Sequence, residues 1–203
     1  DKRAYAAETG AEGSLSVSAA PSGIVISLPM LLAMVYLVGL FMNVFAMLYG
    51  LLRLWRRMRR DALYIEKRTD GITIFIHPGD TPPYSWFSDI VISEKDYHAS
   101  KATLLAHECA HIRFRHSADN LLVAMCRCVQ WFNPFSYLLA DSLHDIHEYQ
   151  VDQSLLTEKT VDATSYKLLL ITKATGYGKR FGMANGFNRS NLRRRLWMMA
   201  VGK

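Results

Sequence analysis

Two histidines and a glutamate near the middle of the chain stand at a spacing that suits metal chemistry. His107, Glu108 and His111 form an H-E-x-x-H pattern, which a chain of this length and composition contains by chance on the order of 0.01 times. On a helix, residues four apart lie on one face, so both imidazoles can reach the same zinc ion. Glu108 lies beside the first histidine and can take a proton from an attacking water. The pattern therefore predicts hydrolysis at a zinc ion.

A second segment, rich in acids and histidines, can supply the third protein ligand that a catalytic zinc ion needs. Glu148 is one candidate, and Asp152 follows it by one helical turn and can support a zinc-binding histidine through a hydrogen bond. His144 precedes Glu148 by one turn and shares its face, so spacing alone does not choose the ligand. For His147 the simpler interpretation is an exposed position on the solvated side of the helix.

Peptide hydrolysis also needs a second donor for the negative charge that develops on the carbonyl oxygen. Tyr149, His144 and His116 have suitable side chains, and the sequence does not choose among them. The predicted strand at 89–93 is expected to form the edge of the cleft, where an extended substrate can pair with it.

The N-terminal part of the chain contains a segment suited to crossing a membrane. Residues 24–52 include no charged residue, and about 20 apolar residues are enough to span a bilayer. Asn43 is the only strongly polar residue inside this segment, and it is expected to face another helix. Positive charge beside a span marks the cytoplasmic side, and a cluster of arginines follows directly: Arg53, Arg56, Arg57, Arg59 and Arg60.

We expect three regions in the chain. Residues 1–22 are predicted to be an extracytoplasmic loop remnant of a longer protein, and residues 23–60 a transmembrane helix with a basic cytoplasmic flank. Residues 61–203 are predicted to form a cytoplasmic zinc metallopeptidase domain. The few cysteines follow no disulfide or zinc-binding spacing, which favours reduced thiols in the cytosol.

The pattern predicts an α+β fold, with a transmembrane helix followed by a small β-sheet and a mainly α-helical metallopeptidase domain. Short apolar runs predict strands at 63–65, 72–76 and 89–93. Helices are predicted at 100–116, 119–132, 134–156, 162–170 and 191–200. The expected N-caps are Ser100, Asn133, Asp162 and Ser190.

The C-terminal part is strongly basic, although the net charge of the whole chain is only +6. Residues 159–203 carry many Lys and Arg and a single acidic residue, Asp162. The helix predicted over 192–199 is basic and amphipathic, which favours contact with anionic membrane lipid. The sequence contains no recognition module for nucleic acid, so direct nucleic-acid binding is not expected.

The sequence is similar in three places to a membrane zinc metallopeptidase family, the β-lactam sensor-transducers that act as antirepressors in penicillin resistance. The similar segments, in the same order, are 107–111, 131–135 and 148–152. Residues 83–87 further resemble members of Bacteroidetes type. The resemblance implies a Glu-zincin architecture with zinc as cofactor, Glu148 as the third ligand and Asp152 as the residue that supports the ligands. It also implies a bacterial inner membrane, with the catalytic domain on its cytoplasmic side.

The leading hypothesis is a membrane-anchored zinc endopeptidase in signal transduction, whose substrate is a protein such as a transcriptional repressor or the chain itself. The alternative is a catalytically silent receptor or scaffold that holds a structural zinc ion. A fourth protein ligand such as His144 would favour the scaffold, whereas an open fourth position would favour the enzyme. No pattern in the sequence predicts the stimulus, the cleavage site or the oligomeric state.

Overall fold

The structure, a computed structural model, describes residues 27–177 and 185–201, so the loop predicted at 1–22 lies outside the described residues. The described helices are α1 (Leu28–Arg60), α2 (Glu94–Arg113), α3 (His116–Val129), α4 (Pro134–Thr157), α5 (Ala163–Tyr177) and α6 (Asn185–Val201). The described strands are β1 (Tyr64–Lys67), β2 (Thr73–His77), β3 (Tyr84–Trp86) and β4 (Asp89–Ser93). The predicted α+β fold class is confirmed.

The first helix, α1, is 33 residues long, and most of its apolar side chains are exposed. Among the described residues it is the only helix that is long and apolar enough to cross a membrane. Its length is about 50 Å, against about 30 Å for the hydrocarbon core of a bilayer. Arginines occupy its last turn, where positive charge is favourable for the helix dipole. The division between the two compact units of the chain falls within α1, between Leu37 and Val38.

The four strands form one mixed sheet in the order β1-β2-β4-β3. The central strands β2 and β4 are parallel, and each outer strand is antiparallel to its neighbour. β4 has the predicted bounds, but it is a central strand, so the prediction that residues 89–93 form the edge of the cleft is wrong. β3 is the edge strand beside β4, and no sequence pattern predicts it, because its residues follow Pro82 and Pro83 in a stretch with the composition of a loop.

The helix α2 begins earlier than predicted and is broken at the residue that was expected to start it. Ser93 caps the helix, and its Oγ accepts a hydrogen bond from the N–H of Asp96 at 3.1 Å. Ser100 has a non-helical backbone, with φ −149° and ψ 29°, which divides α2 into two helical parts. The predicted N-cap at Ser100 is therefore a kink, and the H-E-x-x-H residues lie in the second part.

The later helices agree with the prediction at some ends and differ at others. Asn133 caps α4 as predicted, since its Oδ1 accepts a hydrogen bond from the N–H of Phe135 at 3.0 Å. Pro134 takes the first helical position, where its missing N–H is harmless. Ser190 lies inside α6, so the cap predicted there is wrong. α5 extends past its predicted end at residue 170 to Tyr177, and its last turn includes Gly176, a residue that costs only about 1 kcal/mol within a helix.

Buried side chains on two sides hold the second part of α2 in place. Leu104 and Leu105 pack against apolar side chains of β2 and β4. Ala110 packs in a second cluster to which α4, α5 and α6 contribute, including the fully buried ring of Tyr166. The sheet buries Phe75 and Val91, on its other face, against Met58 near the end of α1. The H-E-x-x-H residues are therefore fixed between the sheet and the C-terminal helices.

Candidate metal centre

Three side chains from two helices bring their donor atoms together. His107 and His111 come from α2, and Glu148 comes from α4. The Nε2 atoms of the two imidazoles are 3.2 Å apart. Of the two carboxylate oxygens of Glu148, Oε2 lies 3.6 Å from Nε2 of His107 and Oε1 lies 3.5 Å from Nε2 of His111. Atoms that each lie about 2.05 Å from a tetrahedral zinc ion are about 3.3 Å apart, so these three donors fit one zinc ion.

A chain of hydrogen bonds orients His107 from behind. Its Nδ1 lies 2.8 Å from the hydroxyl oxygen of Tyr166, and that hydroxyl donates to Oδ1 of Asp152 at 2.6 Å. Burial, and then the charge of Asp152, raises the pKa of Tyr166, so the phenol keeps its proton. Because this proton points to Asp152, the hydroxyl oxygen accepts a hydrogen bond from Nδ1 of His107. The lone pair of Nε2 is then free to bind a metal ion.

Arg195 of α6 connects Glu148 to the same series of hydrogen bonds through Asp152. Its Nη1 lies 2.7 Å from Oε2 of Glu148. Its Nε and Nη2 donate to the two carboxylate oxygens of Asp152 at 2.8 and 2.7 Å. Burial opposes the charge of Arg195, but the hydrogen bond to Asp152 and the charge of Glu148 raise its pKa above the usual value. Since the guanidinium occupies Oε2, the other oxygen of Glu148 is the freer donor for a metal ion.

His111 rests on a second series of contacts, through His116 and Gln150. Its Nδ1 lies 2.8 Å from Nδ1 of His116, whose Nε2 lies 3.2 Å from Oε1 of Gln150. An amide oxygen only accepts, so Nε2 of His116 carries a hydrogen and its Nδ1 accepts one from His111. This assigns the hydrogen of His111 to Nδ1 and leaves its Nε2 for a metal ion. His116 is buried and stacks on the ring of His147, with centroids 3.8 Å apart.

The two donor histidines are neutral at physiological pH. Burial lowers the pKa of His107 to about 3 and the pKa of His111 to about 3. Their contacts with Glu148 are therefore not ion pairs, because each joins an unprotonated nitrogen to a carboxylate oxygen. Atoms that all present lone pairs repel one another unless a cation lies between them. The donor set thus has the chemistry of a cation site.

Glu108 follows His107 in the sequence and lines the same cavity, but it does not belong to the group of donor residues. Its side chain is buried, and with Ser85 and the three donor residues it lines a cavity of about 520 Å³. Burial raises the pKa of Glu108 to about 8, while a hydrogen bond with Ser85 lowers it and the charge of Glu148 raises it. A cation on the three donors would lower this pKa, because an opposite charge favours the carboxylate. Glu108 then has the position and the charge of a general base.

A family model matches nearly the whole chain. This model, described as BlaR1 peptidase M56, covers residues 11–199. The chain belongs to this family. The predicted resemblance is therefore confirmed, and M56 membership supports a membrane-associated, metallopeptidase-like sensor-transducer. No curated protein gives a significant match, and a Bacteroidetes origin stays a prediction.

The donor residues of this M56 chain converge as the sequence predicts, but Asp152 supports them in a different way. A direct hydrogen bond from Asp152 to a donor histidine was expected. Instead the hydroxyl of Tyr166 lies between Asp152 and His107 and contacts both. Asp152 thus acts on His107 through a tyrosine and on Glu148 through Arg195.

The other candidate residues occupy different places around the M56 site. His144 is exposed and lines the cavity, but it is not part of the metal-binding group found among the described residues. Tyr149 is half-buried and does not line the described cavity. His116 lies behind His111, where it supports a donor. His147 was expected to be exposed; it is 3% exposed, because its ring is stacked and its Nε2 lies 3.2 Å from Asp119.

Several residues at the site are not predicted by the sequence. Tyr166 lies in a helix whose pattern indicates only packing, and Ser85 belongs to the unpredicted strand β3. Arg195 belongs to the basic segment assigned to lipid, yet its side chain is only 14% exposed. The one available signal was the spacing of Arg195 beside Leu192 and Leu196 on a helix, which indicates a half-buried face.

Proposed function

We propose that the chain is a membrane-anchored, zinc-dependent endopeptidase in signal transduction, which cleaves a protein substrate such as a repressor or a copy of itself. The observation that carries this proposal is the group of three donors, His107, His111 and Glu148, with Glu108 beside them on one cavity. Three protein ligands are typical of catalytic zinc, since the fourth position stays available for water or substrate.

The residues around the cavity divide the chemical work among them. A zinc ion at this site would polarise the attacking water and the scissile carbonyl. Glu108 takes the proton from the water and later delivers it to the leaving amine. Tyr166 fixes the ring of His107, and Arg195 fixes the carboxylate of Glu148, so the donors keep their geometry during the reaction.

The edge strand β3 favours a substrate that binds in an extended conformation. Within the described residues, β3 has β4 as a neighbour on one side and no strand on the other. Tyr84 and Ser85 of β3 line the cavity that contains Glu108. An extended peptide can add to such an edge through main-chain hydrogen bonds. This role belongs to β3 and replaces the one predicted for residues 89–93.

The helix α1 supports a membrane location for the whole chain. Its span ends in an arginine cluster, which favours a cytoplasmic position for everything that follows. We therefore place the catalytic domain at the cytoplasmic face of a bacterial inner membrane, with membrane lipid as a partner and without direct nucleic-acid binding. A structural zinc ion in a silent scaffold would need a fourth protein ligand, and the exposed position of His144 does not favour it.

The variant Glu108→Gln tests the proposal. We expect the full chain in detergent, loaded with zinc, to cleave itself or extended peptides from a library, as measured by mass spectrometry. Glu108→Gln is expected to bind one zinc ion per chain and to lose cleavage by about 100-fold or more, because general-base assistance is lost. Glu158→Gln, a matched change at an exposed glutamate paired with Arg113, should cleave like the unmodified chain. Equal cleavage by Glu108→Gln would overturn the mechanism.

A further inference from the structure

The corner between α3 and α4, residues 129–135, packs against the middle of the apolar part of α1. The indole ring of Trp131 lies directly on Gly39, where even a Cβ atom would overlap the ring. About two turns further along the same face of α1, Sδ of Met47 lies 3.7 Å from Sγ of Cys128. Asn43, on the same face between Gly39 and Met47, is half-buried and donates to the Gly39 carbonyl oxygen at 2.8 Å. Hence α1 presents one continuous face to the corner.

The position of these contacts along α1 gives their depth. Met47 lies six residues before Arg53, which is about 9 Å along a helix, and Gly39 lies fourteen residues before it, about 21 Å. The hydrocarbon core of a bilayer is about 30 Å thick. When α1 spans a membrane with Arg53 at the interface, the ring of Trp131 therefore lies inside the hydrocarbon layer.

The outer surface of the corner is apolar and exposed. Phe132 is 64% exposed and Phe135 is 73% exposed. Between Asp119 and Asp141 the only charged residue is Arg127, whose guanidinium lies 4.4 Å from the ring centroid of Tyr137. In water such a surface is unfavourable, and its exposed apolar side chains continue along both helices: Met125, Val129, Phe132, Phe135, Leu138 and Leu139.

Most polar side chains of the corner have partners within the corner itself, and the exception among them is Nε1 of Trp131, which is buried without a hydrogen-bond partner. Asn133 accepts a hydrogen bond from the N–H of Phe135 and donates to the side-chain oxygen of Gln130. Ser136 donates to the Asn133 carbonyl oxygen at 2.7 Å, and Tyr137 donates to the Trp131 carbonyl oxygen at 3.2 Å. A break between helices is tolerated at membrane depth only when its polar groups find partners inside the protein.

We propose that the α3–α4 corner is inserted into the bilayer as a re-entrant hairpin and that lipid acyl chains cover its exposed face. The domain is then embedded in the membrane surface, and α3 connects the inserted corner to His116 beside the metal centre. The inference rests on the membrane span of α1, which is part of the proposed function. The face of α1 that is used by the corner continues into that span, which favours lipid over a soluble partner as the occupant.

Spin labels on cysteines in lipid vesicles test this insertion. The labels are placed at Phe135→Cys and Leu138→Cys in the full chain, with the native cysteines replaced by alanine. Phe45→Cys, on the exposed face of α1, serves as the lipid reference, and Gln153→Cys, exposed on the same helix as Leu138, serves as the water reference. The quantity measured is the ratio of collision rates with oxygen and with a water-soluble nickel complex.

The corner labels are expected to give ratios close to that of Phe45 and about tenfold above that of Gln153, because the polar nickel complex is excluded from hydrocarbon. High nickel collision rates at 135 and 138, with the Phe45 label in lipid, would overturn the insertion alone. Low rates with both reagents would mean that protein covers the face, and would equally overturn it. High nickel rates at the Phe45 label would instead contradict the span of α1 and with it the proposed function.

A second measurement uses the unmodified chain and does not depend on the folding of cysteine variants. A carbene-forming photolabel dissolved in the acyl chains is activated by light, and the labelled peptides are found by mass spectrometry. We expect label on residues 132–139 as well as on α1. Label on α1 with none on residues 132–139 would overturn the insertion.

Discussion

The two donor histidines are equally buried and neutral, yet they rest on different supports. Behind His107 stand Tyr166, the carboxylate of Asp152 and the guanidinium of Arg195. Behind His111 stand the imidazole of His116 and the amide of Gln150. Both supports assign the ring hydrogen to Nδ1, so both orient a ligand. The first support contains a carboxylate and a guanidinium, whereas the second consists of an imidazole and an amide.

The difference between the two supports separates two tasks, which are the orientation of a donor ring and the balance of charge at the centre. Asp152 makes His107 a stronger donor through Tyr166 and holds the guanidinium that contacts Glu148. A change at Asp152 therefore affects two of the three donors, whereas a change at His116 affects only His111. We expect the support with Asp152 and Arg195 to contribute more to metal affinity than the support with His116 and Gln150.

The largest effect is expected from Asp152→Asn. This variant keeps the size of the side chain but leaves the buried charge of Arg195 without its bidentate partner. We expect zinc affinity to fall by about 100-fold, the upper end of the range for residues that support metal ligands. The affinity is measured in detergent by competition with a zinc-binding dye. Asp119→Asn, the same change at an exposed carboxylate near His147, should change the affinity little; equal losses in the two variants would remove the special role of Asp152.

A smaller effect is expected from His116→Leu. This change removes the acceptor for the Nδ1 hydrogen of His111 but leaves Asp152 and Arg195 in place. We expect zinc affinity to fall by about tenfold, and His116→Gln, which keeps an acceptor group, to recover part of it. The same dye competition measures both variants. A loss for His116→Leu as large as that for Asp152→Asn would contradict the comparison between the two supports.

The sequence predicts the donors better than their supports for a physical reason. His107 and His111 are placed by the period of one helix, and Glu148 and Asp152 by that of another, so local spacing is enough. Tyr166 and Arg195 reach the site from α5 and α6, 59 residues after His107 in the first case. Such contacts depend on how helices pack, and the one local signal is the spacing of Arg195 beside Leu192 and Leu196. The burial of His147 is hidden for the same reason.

The fold shows the same limit. β4 is predicted by a short apolar run. The cap at Asn133 is predicted because asparagine is a common N-cap and Pro134 suits the first position of a helix. The edge strand β3 is too short to show alternation, and its partner in the sheet is decided by tertiary packing. The kink at Ser100 looks like a helix start, because a serine that breaks a helix and one that caps it have the same sequence pattern.

The most direct test of the central claim is a zinc-bound structure in which anomalous scattering locates the metal. We predict one zinc ion bound by Nε2 of His107, Nε2 of His111 and a carboxylate oxygen of Glu148, each at about 2.0–2.2 Å, with no fourth protein ligand. Glu108 should face the open position without binding the metal. A zinc ion that is bound by His144 as a fourth ligand, or one that lies away from Glu148, would contradict the account of a catalytic centre.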